Sequence, residues 1–282
     1  MLIQLMNGLV YGALLFAMAS GLSLMFGLRR IVNFAHGSLY MLGAYVGYSI
    51  SSVLGFWWAL AAAVAILAVV GASLDHLVFR PLGDRDPLIT LLVTFGLALI
   101  FEDLVRSIWG IDTLSLPPPT SLAGTVRVPG TDFPVYRLAI IVFGMLVASG
   151  LVAWLRLSQI GLAVRAASFN PILTAIQGVN TDYVSTLVVA VGAALAGASG
   201  VIAAPLLSLA PSMAGDILVD SFIVVVIGGL GSLGGALAAA LLLGQINILS
   251  IVFLPELTAV VPFVLMIGIL LWRPTGLAGT RV

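Results

Sequence analysis

The sequence predicts an all-α fold, a polytopic bundle of transmembrane helices, on three observations. Hydrophobic residues make up 61% of the 282 and charged residues only 8%, whereas soluble domains carry about a quarter charged residues. The apolar runs are long and continuous rather than alternating. Because backbone polar groups in lipid must be satisfied within a helix or a closed barrel, that pattern selects helices. Finally, glycines are gathered at 228–235, inside an apolar stretch too long for one crossing, so the bundle is expected to include broken or re-entrant helices.

A span needs roughly 20 mostly apolar residues. The candidates are 5–28, 31–54, 56–79, 88–109, 135–155, 183–207, 217–254 and 256–272, with 217–254 long enough for two crossings or a broken pair. That gives eight or nine membrane segments. No shift of composition divides them, so residues 1–282 read as a single membrane domain. The first apolar run, 8–28, has no basic residue before it and continues past any cleavage site, unlike a signal peptide.

Arginine placement sets the orientation. Arg29 and Arg30, Arg80 and Arg85, Arg156 and Arg165, and Arg273 and Arg281 fall in four connections that share a side if the N-terminus lies outside. These are assigned to the cytoplasm. The connections 110–134 and 208–220 hold only Arg127 and are assigned outside. An outside N-terminus and a cytoplasmic C-terminus require an odd number of crossings, which favours nine. Outer loop 110–134 carries Pro117, Pro118, Pro119, Pro129 and Pro134, which stiffen it by fixing φ. It reads equally as a docking ledge for an extracytoplasmic partner or as a rigid linker.

Composition also excludes functions. The eleven basic residues are all Arg, which removes a Walker A loop, a Schiff-base enzyme and a lysine general base. ATP used by this protein is therefore bound by another chain. The absence of cysteine removes disulfides, thiolate metal sites and a cysteine nucleophile. No Ser/His/Asp set, paired catalytic carboxylates or clustered metal ligands are present, so neither enzyme activity nor a resident metal or cofactor is expected. A zero formal net charge points to no nucleic-acid partner.

Segment 158–182 is the one long polar interruption that also reads as a helix. It lies between apolar stretches 138–155 and 183–207, with Pro171 mid-way and Gly178 near its end. Proline lacks an N–H and clashes with the preceding turn. Two short helices at a membrane surface are therefore expected, offering a handle to a partner protein.

Several motifs carry a bland and a functional reading. Gly229-x-Gly231-x-x-Gly234, with Glu256 further on, has the outline of a dinucleotide-binding turn, but a Rossmann unit needs alternating strands and amphipathic helices that this chain lacks. A broken membrane element explains it better. Spacings Gly8/Gly12, Gly43/Gly47 and Gly231/Gly235 suit close helix packing. Alternatively, the glycine-interrupted segments 33–47 and 221–235 line a substrate path. Its candidate residues are Asn33, His36, Gly37, Gly43, Gly228, Gly229, Gly231 and Gly234. Asn33 suits a helix N-cap, and a structural hydrogen bond is favoured for His36, one turn further in. Asp75 with Arg80, and Glu102 and Asp103 with Arg106, read as interfacial ion pairs near helix ends. Asp216 and Asp220 are expected to cap the seventh hydrophobic region.

NFAHGSLYMLGAYVG (33–47), GLAVRAASFNPILTAIQGVN (161–180), FIVVVIGGLGSLGGALAAALLLG (222–244) and WRPTGLAG (272–279) together resemble the ABC permease family for branched-chain amino acids, and most closely its shorter, H-type subunit. The resemblance covers essentially the whole chain. It implies a bacterial inner-membrane importer in which two related permeases pair. Two cytoplasmic ATPases, which hold ATP and Mg, drive them, and a periplasmic binding protein delivers substrate. It further implies that 161–180 docks on the ATPase through Gly161, Arg165, Ala166, Asn170, Ala175 and Gly178. Arg165 stands where many ABC permeases have a Glu. Related systems carry urea, short amides and aromatic or other carboxylates. A stand-alone transporter or channel is the rival class, and an intramembrane enzyme the other.

Overall fold

A computed structural model describes residues 1–83, 85–128 and 131–279. Pro129 and Arg281, which the sequence analysis used, lie outside the described residues. Among the described residues, nine helices form the bundle and two short ones join its halves. They are α1 (Leu2–Arg29), α2 (His36–Leu54), α3 (Phe56–Leu82), α4 (Pro87–Trp109), α5 (Val135–Leu157), α6 (Gln159–Phe169), α7 (Pro171–Ile176), α8 (Thr181–Ala203), α9 (Met213–Gly228), α10 (Leu233–Phe253) and α11 (Val261–Trp272). Six of them (α1, α3, α4, α5, α8 and α10) are long and apolar enough to cross a membrane. The 16 residues of α9 reach about 24 Å and the 12 of α11 about 18 Å, shorter than a hydrocarbon core of about 30 Å. The long stretch 217–254 is thus a broken pair.

Helix α1 is the central post. A helix apolar on every side belongs in an interior, and α1 packs against α5, α8, α9 and α10. Its contact with α10 is glycine-made, Gly12 lying against the backbone of Ala240 and Leu241, and Gly244 against that of Gly8 and Gly12. Around α8 the same device recurs, with Gly43 of α2 on Gly197. Two apolar helices gain no hydrophobic energy from meeting in lipid, so close backbone approach and dispersion hold them. On the periphery, α4 turns Leu88, Leu92 and Ile100 outward.

The connections sort to two ends. Arg29, Arg30, Arg80 and the α6–α7 segment share one cleft, and Arg165 shares another with the 229–232 turn and the C-terminal stretch after α11. At the opposite end Asn7 accepts a bond from Arg137 at 2.6 Å, and Leu114 and Leu209 exchange backbone bonds of 3.0 and 2.8 Å. Among the described residues the connections therefore alternate between the two ends, with the N-terminus at the end away from most arginines, but only six helices are long and apolar enough to cross where nine crossings were expected. The loop at that end adds what the sequence reading missed, a two-stranded hairpin pairing β1 (Thr125–Val128) with β2 (Thr131–Pro134).

Two breaks shape the bundle. Arg30 closes α1 in the left-handed region at φ 54°, its N–H donating to the Phe26 carbonyl. The chain then folds back inward, and α2 starts only at His36, part-way along α1. Helix α2 therefore begins three residues after Asn33. The Asn33 side chain accepts from the Ala35 N–H at 3.0 Å, forming a turn before the helix instead of capping it. The second break is the 229–232 turn, where Gly229 and Gly231 adopt φ of 97° and 80°, a region closed to most side chains.

Candidate functional site

The polar interruption folds as two short helices, α6 and α7, at the arginine-rich end. Three caps define it. The Ser158 hydroxyl accepts from the Gly161 N–H at 2.8 Å, Asn170 Oδ1 from the Leu173 N–H at 3.0 Å, and Asn180 Oδ1 from the Tyr183 N–H at 3.0 Å, the last opening α8. Each satisfies a backbone donor that a helix start leaves unpaired, worth about 1 kcal/mol. Pro171 takes the first position of α7, where its missing N–H costs nothing. Gly178, at φ 84°, turns the chain toward α8.

One face of this element is fixed to the bundle. Gly161 lies so close to Trp154 and Leu155 that a Cβ would overlap their backbone, which makes the α5–α6 elbow tight. Val164 and Ala167 bury against Leu24, Leu151, Val184 and Val188. The other face carries Arg165, Ala166 and Ala175 outward together with large apolar side chains. Phe169 is 88% exposed, and Ile172 and Ile176 are each 73% exposed. A groove of about 390 Å³ between α6 and α7 is lined by Leu162, Ala166, Phe169 and Leu173. Of the residues assigned to docking, Arg165, Ala166, Ala175 and Gly178 are thus exposed. Asn170 is half-buried and caps α7, and Gly161 is buried in the elbow.

Behind the segment lies a charge network that the sequence reading reduced to an interfacial pair. Asp75 is fully buried. Its Oδ1 accepts from Arg29 Nη2 at 2.7 Å and Ser185 Oγ at 3.2 Å. Its Oδ2 accepts from Arg80 Nε at 3.2 Å and Thr186 Oγ1 at 2.7 Å. Arg29 also donates to Ser185 Oγ and the Phe79 carbonyl, and Arg80 to Thr186 and the Asp182 carbonyl. By contrast, Glu102 and Arg106 do form the expected exposed i,i+4 pair.

The substrate-path candidates fall in two groups. Asn33, His36, Gly37, Gly43, Gly228 and Gly229 are buried, and Gly231 and Gly234 are exposed. His36 Nε2 lies 3.1 Å from the Met18 carbonyl. A carbonyl only accepts, so Nε2 carries the proton, which is the structural bond the sequence favoured. Gly37 meets Ala214, Gly228 meets Gly235 and Ala236, and Gly229 meets Thr275 and Gly279. Neither Asp216 nor Asp220 caps α9. Asp216 sits exposed in its first turn, and Asp220 accepts from the Tyr11 hydroxyl of α1 at 2.6 Å. Among the described residues no three His, Asp or Glu side chains gather as a metal site.

Residues 4–270 match the family described as branched-chain amino acid transport system / permease component. The chain is 30% identical to the high-affinity branched-chain amino acid transport system permease protein LivH of Salmonella typhimurium, over 98% of this chain and 94% of that one. It is 29% identical to the corresponding protein BraD of Pseudomonas aeruginosa, over 98% and 95%. Identity to the probable LivH of Methanocaldococcus jannaschii is 25%, over 97% and 91%. No solved structure gives a significant match. This multi-pass membrane chain belongs to the family of branched-chain amino acid transport system permease components.

Proposed function

We propose that the chain is the transmembrane permease subunit of an ATP-driven, binding-protein-dependent ABC importer of the bacterial inner membrane. Its substrates are branched-chain or other hydrophobic amino acids, a reading supported by relatives that are named for branched-chain amino acid transport. One observation carries the reading: Phe169, Ile172 and Ile176 stand bare on a capped, rigidly seated element at the arginine-rich end. Exposed apolar clusters of this kind mark interaction sites. Because the chain has no lysine for a Walker A loop, the fitting partner is a cytoplasmic ATPase that holds ATP and Mg.

In this reading residues 1–282 act as one permease unit beside a second, homologous permease, with two ATPases inside and a substrate-binding protein outside. Gly161 and Asn170 hold the shape of the docking element, while Arg165, Ala166, Ala175 and Gly178 face the ATPase. The broken elements carrying Asn33, His36, Gly37, Gly43, Gly228, Gly229, Gly231 and Gly234 shape the substrate path at the interface with the second permease. Replacing Ala166 with Glu tests the assignment, since the position is exposed. Uptake and receptor-stimulated ATP hydrolysis should both be lost, while substrate binding by the soluble receptor stays intact. Normal uptake by the variant would contradict the docking role.

A further inference from the structure

We infer that Asp75 is the positioning residue that passes movement of the α6–α7 segment into the bundle, an inference that rests on the importer reading above. In α3 the backbone widens to a π-turn over Asp75–Phe79. Such turns add a residue to the helix and frequently mark functional positions. The wider turn brings Asp75 and Arg80, five residues apart, onto one face, where they bond at 3.2 Å. In a regular α-helix five residues span about 500°, which would point the two side chains roughly 140° apart.

That face meets the start of α8. Ser185 and Thr186 each donate to one Asp75 oxygen, Arg29 joins from the last residue of α1, and Arg80 reaches the Asp182 carbonyl. One buried carboxylate therefore ties α1, α3 and α8 together. Helix α8 is also the direct continuation of the docking element: only residues 177–180 separate it from α7, and Asn180 caps it. A push on α6–α7 arrives at the first turns of α8, and the Asp75 joint makes α1 and α3 follow. Small-residue contacts elsewhere hold helices by non-directional dispersion, whereas a buried carboxylate with four donors holds one geometry. Removing a single partner leaves buried charge unpaired.

The test uses proteoliposomes holding the whole complex. Asp75→Asn keeps the shape and removes the charge. Substrate transported per assembled complex should fall about tenfold while ATP hydrolysis continues, the signature of uncoupling. A purely structural role would instead reduce the amount of assembled complex and leave the ratio of transport to hydrolysis unchanged. Arg80→Gln, which leaves the Arg29 bond in place, should give the same signature more weakly and serves if Asp75→Asn does not assemble. A transport-to-hydrolysis ratio within about twofold of wild type for both single variants would overturn the inference. Wild-type uptake that needs no ATP would overturn the importer reading itself, and is measured first.

Discussion

The two ends of the bundle are held by different physics. At the arginine-rich end, ion pairs and side-chain caps with one best geometry fix short elements: Asp75 with Arg29 and Arg80, and Ser158, Asn170 and Asn180 at three successive helix starts. At the opposite end aromatic rings and backbone pairing do the work. Phe56 stands edge-on to Trp57 and Tyr136, Tyr45 packs on Trp109, and the Trp109 indole donates to Ser49 at 2.7 Å. Aromatic side chains with one polar atom suit a membrane interface. Apolar packing degrades gradually under movement, whereas a charge network holds or breaks. Variants at the arginine-rich end should therefore change how movement is transmitted, and variants at the aromatic end should change stability alone.

The largest effect is expected at the elbow. Gly161→Val forces a side chain into the Trp154 and Leu155 backbone and must swing α6 off α5, beyond the cost of ordinary overpacking of about 1–3 kcal/mol. Uptake should vanish, and proteolysis should cut the 158–180 region faster than in wild type. Unchanged cleavage there would show that the elbow is not tight. A smaller effect should follow Tyr136→Phe, which removes the buried bond from the Tyr136 hydroxyl to the Ile202 carbonyl at 2.7 Å. A loss of about 1 kcal/mol in stability is expected, visible as a lower midpoint in thermal unfolding in detergent, with the transport-to-hydrolysis ratio unaltered. A change in that ratio would break the division between the two ends. Glu102→Gln, in the exposed pair with Arg106, should shift neither reading measurably, since such pairs contribute about 0.3–0.5 kcal/mol.

The sequence made some of this legible and hid the rest for identifiable reasons. Continuous apolar runs located the long helices, because lipid leaves the backbone little choice. Pro171 and Gly178 marked the short helices through local chemistry, while their caps at Ser158, Asn170 and Asn180 emerged only with the fold. Arginine placement sorted the connections to their ends. Beyond the neighbouring Arg80, the Asp75 joint was invisible because its other partners lie 46, 110 and 111 residues away, and the Tyr11–Asp220 bond spans 209. Only the fold brings such groups together. The start of α2 was misplaced for a related reason: Asn33 has the residue type of a cap, but the chain is still turning inward there. The polar character of 158–182 also concealed its exposed apolar face, because Phe169, Ile172 and Ile176 belong to two helices and share a side only across the Asn170–Pro171 break.

Contact between that face and an ATPase can be read most directly by cross-linking. Ile172→Cys, the only thiol in a chain that has none of its own, carries a short photoreactive group in membranes containing the whole complex. One product joining this chain to the ATPase subunit is expected, with a yield that changes when ATP is added. No product with the ATPase from Ile172, alongside one from a position in loop 110–134 at the opposite end, would contradict it.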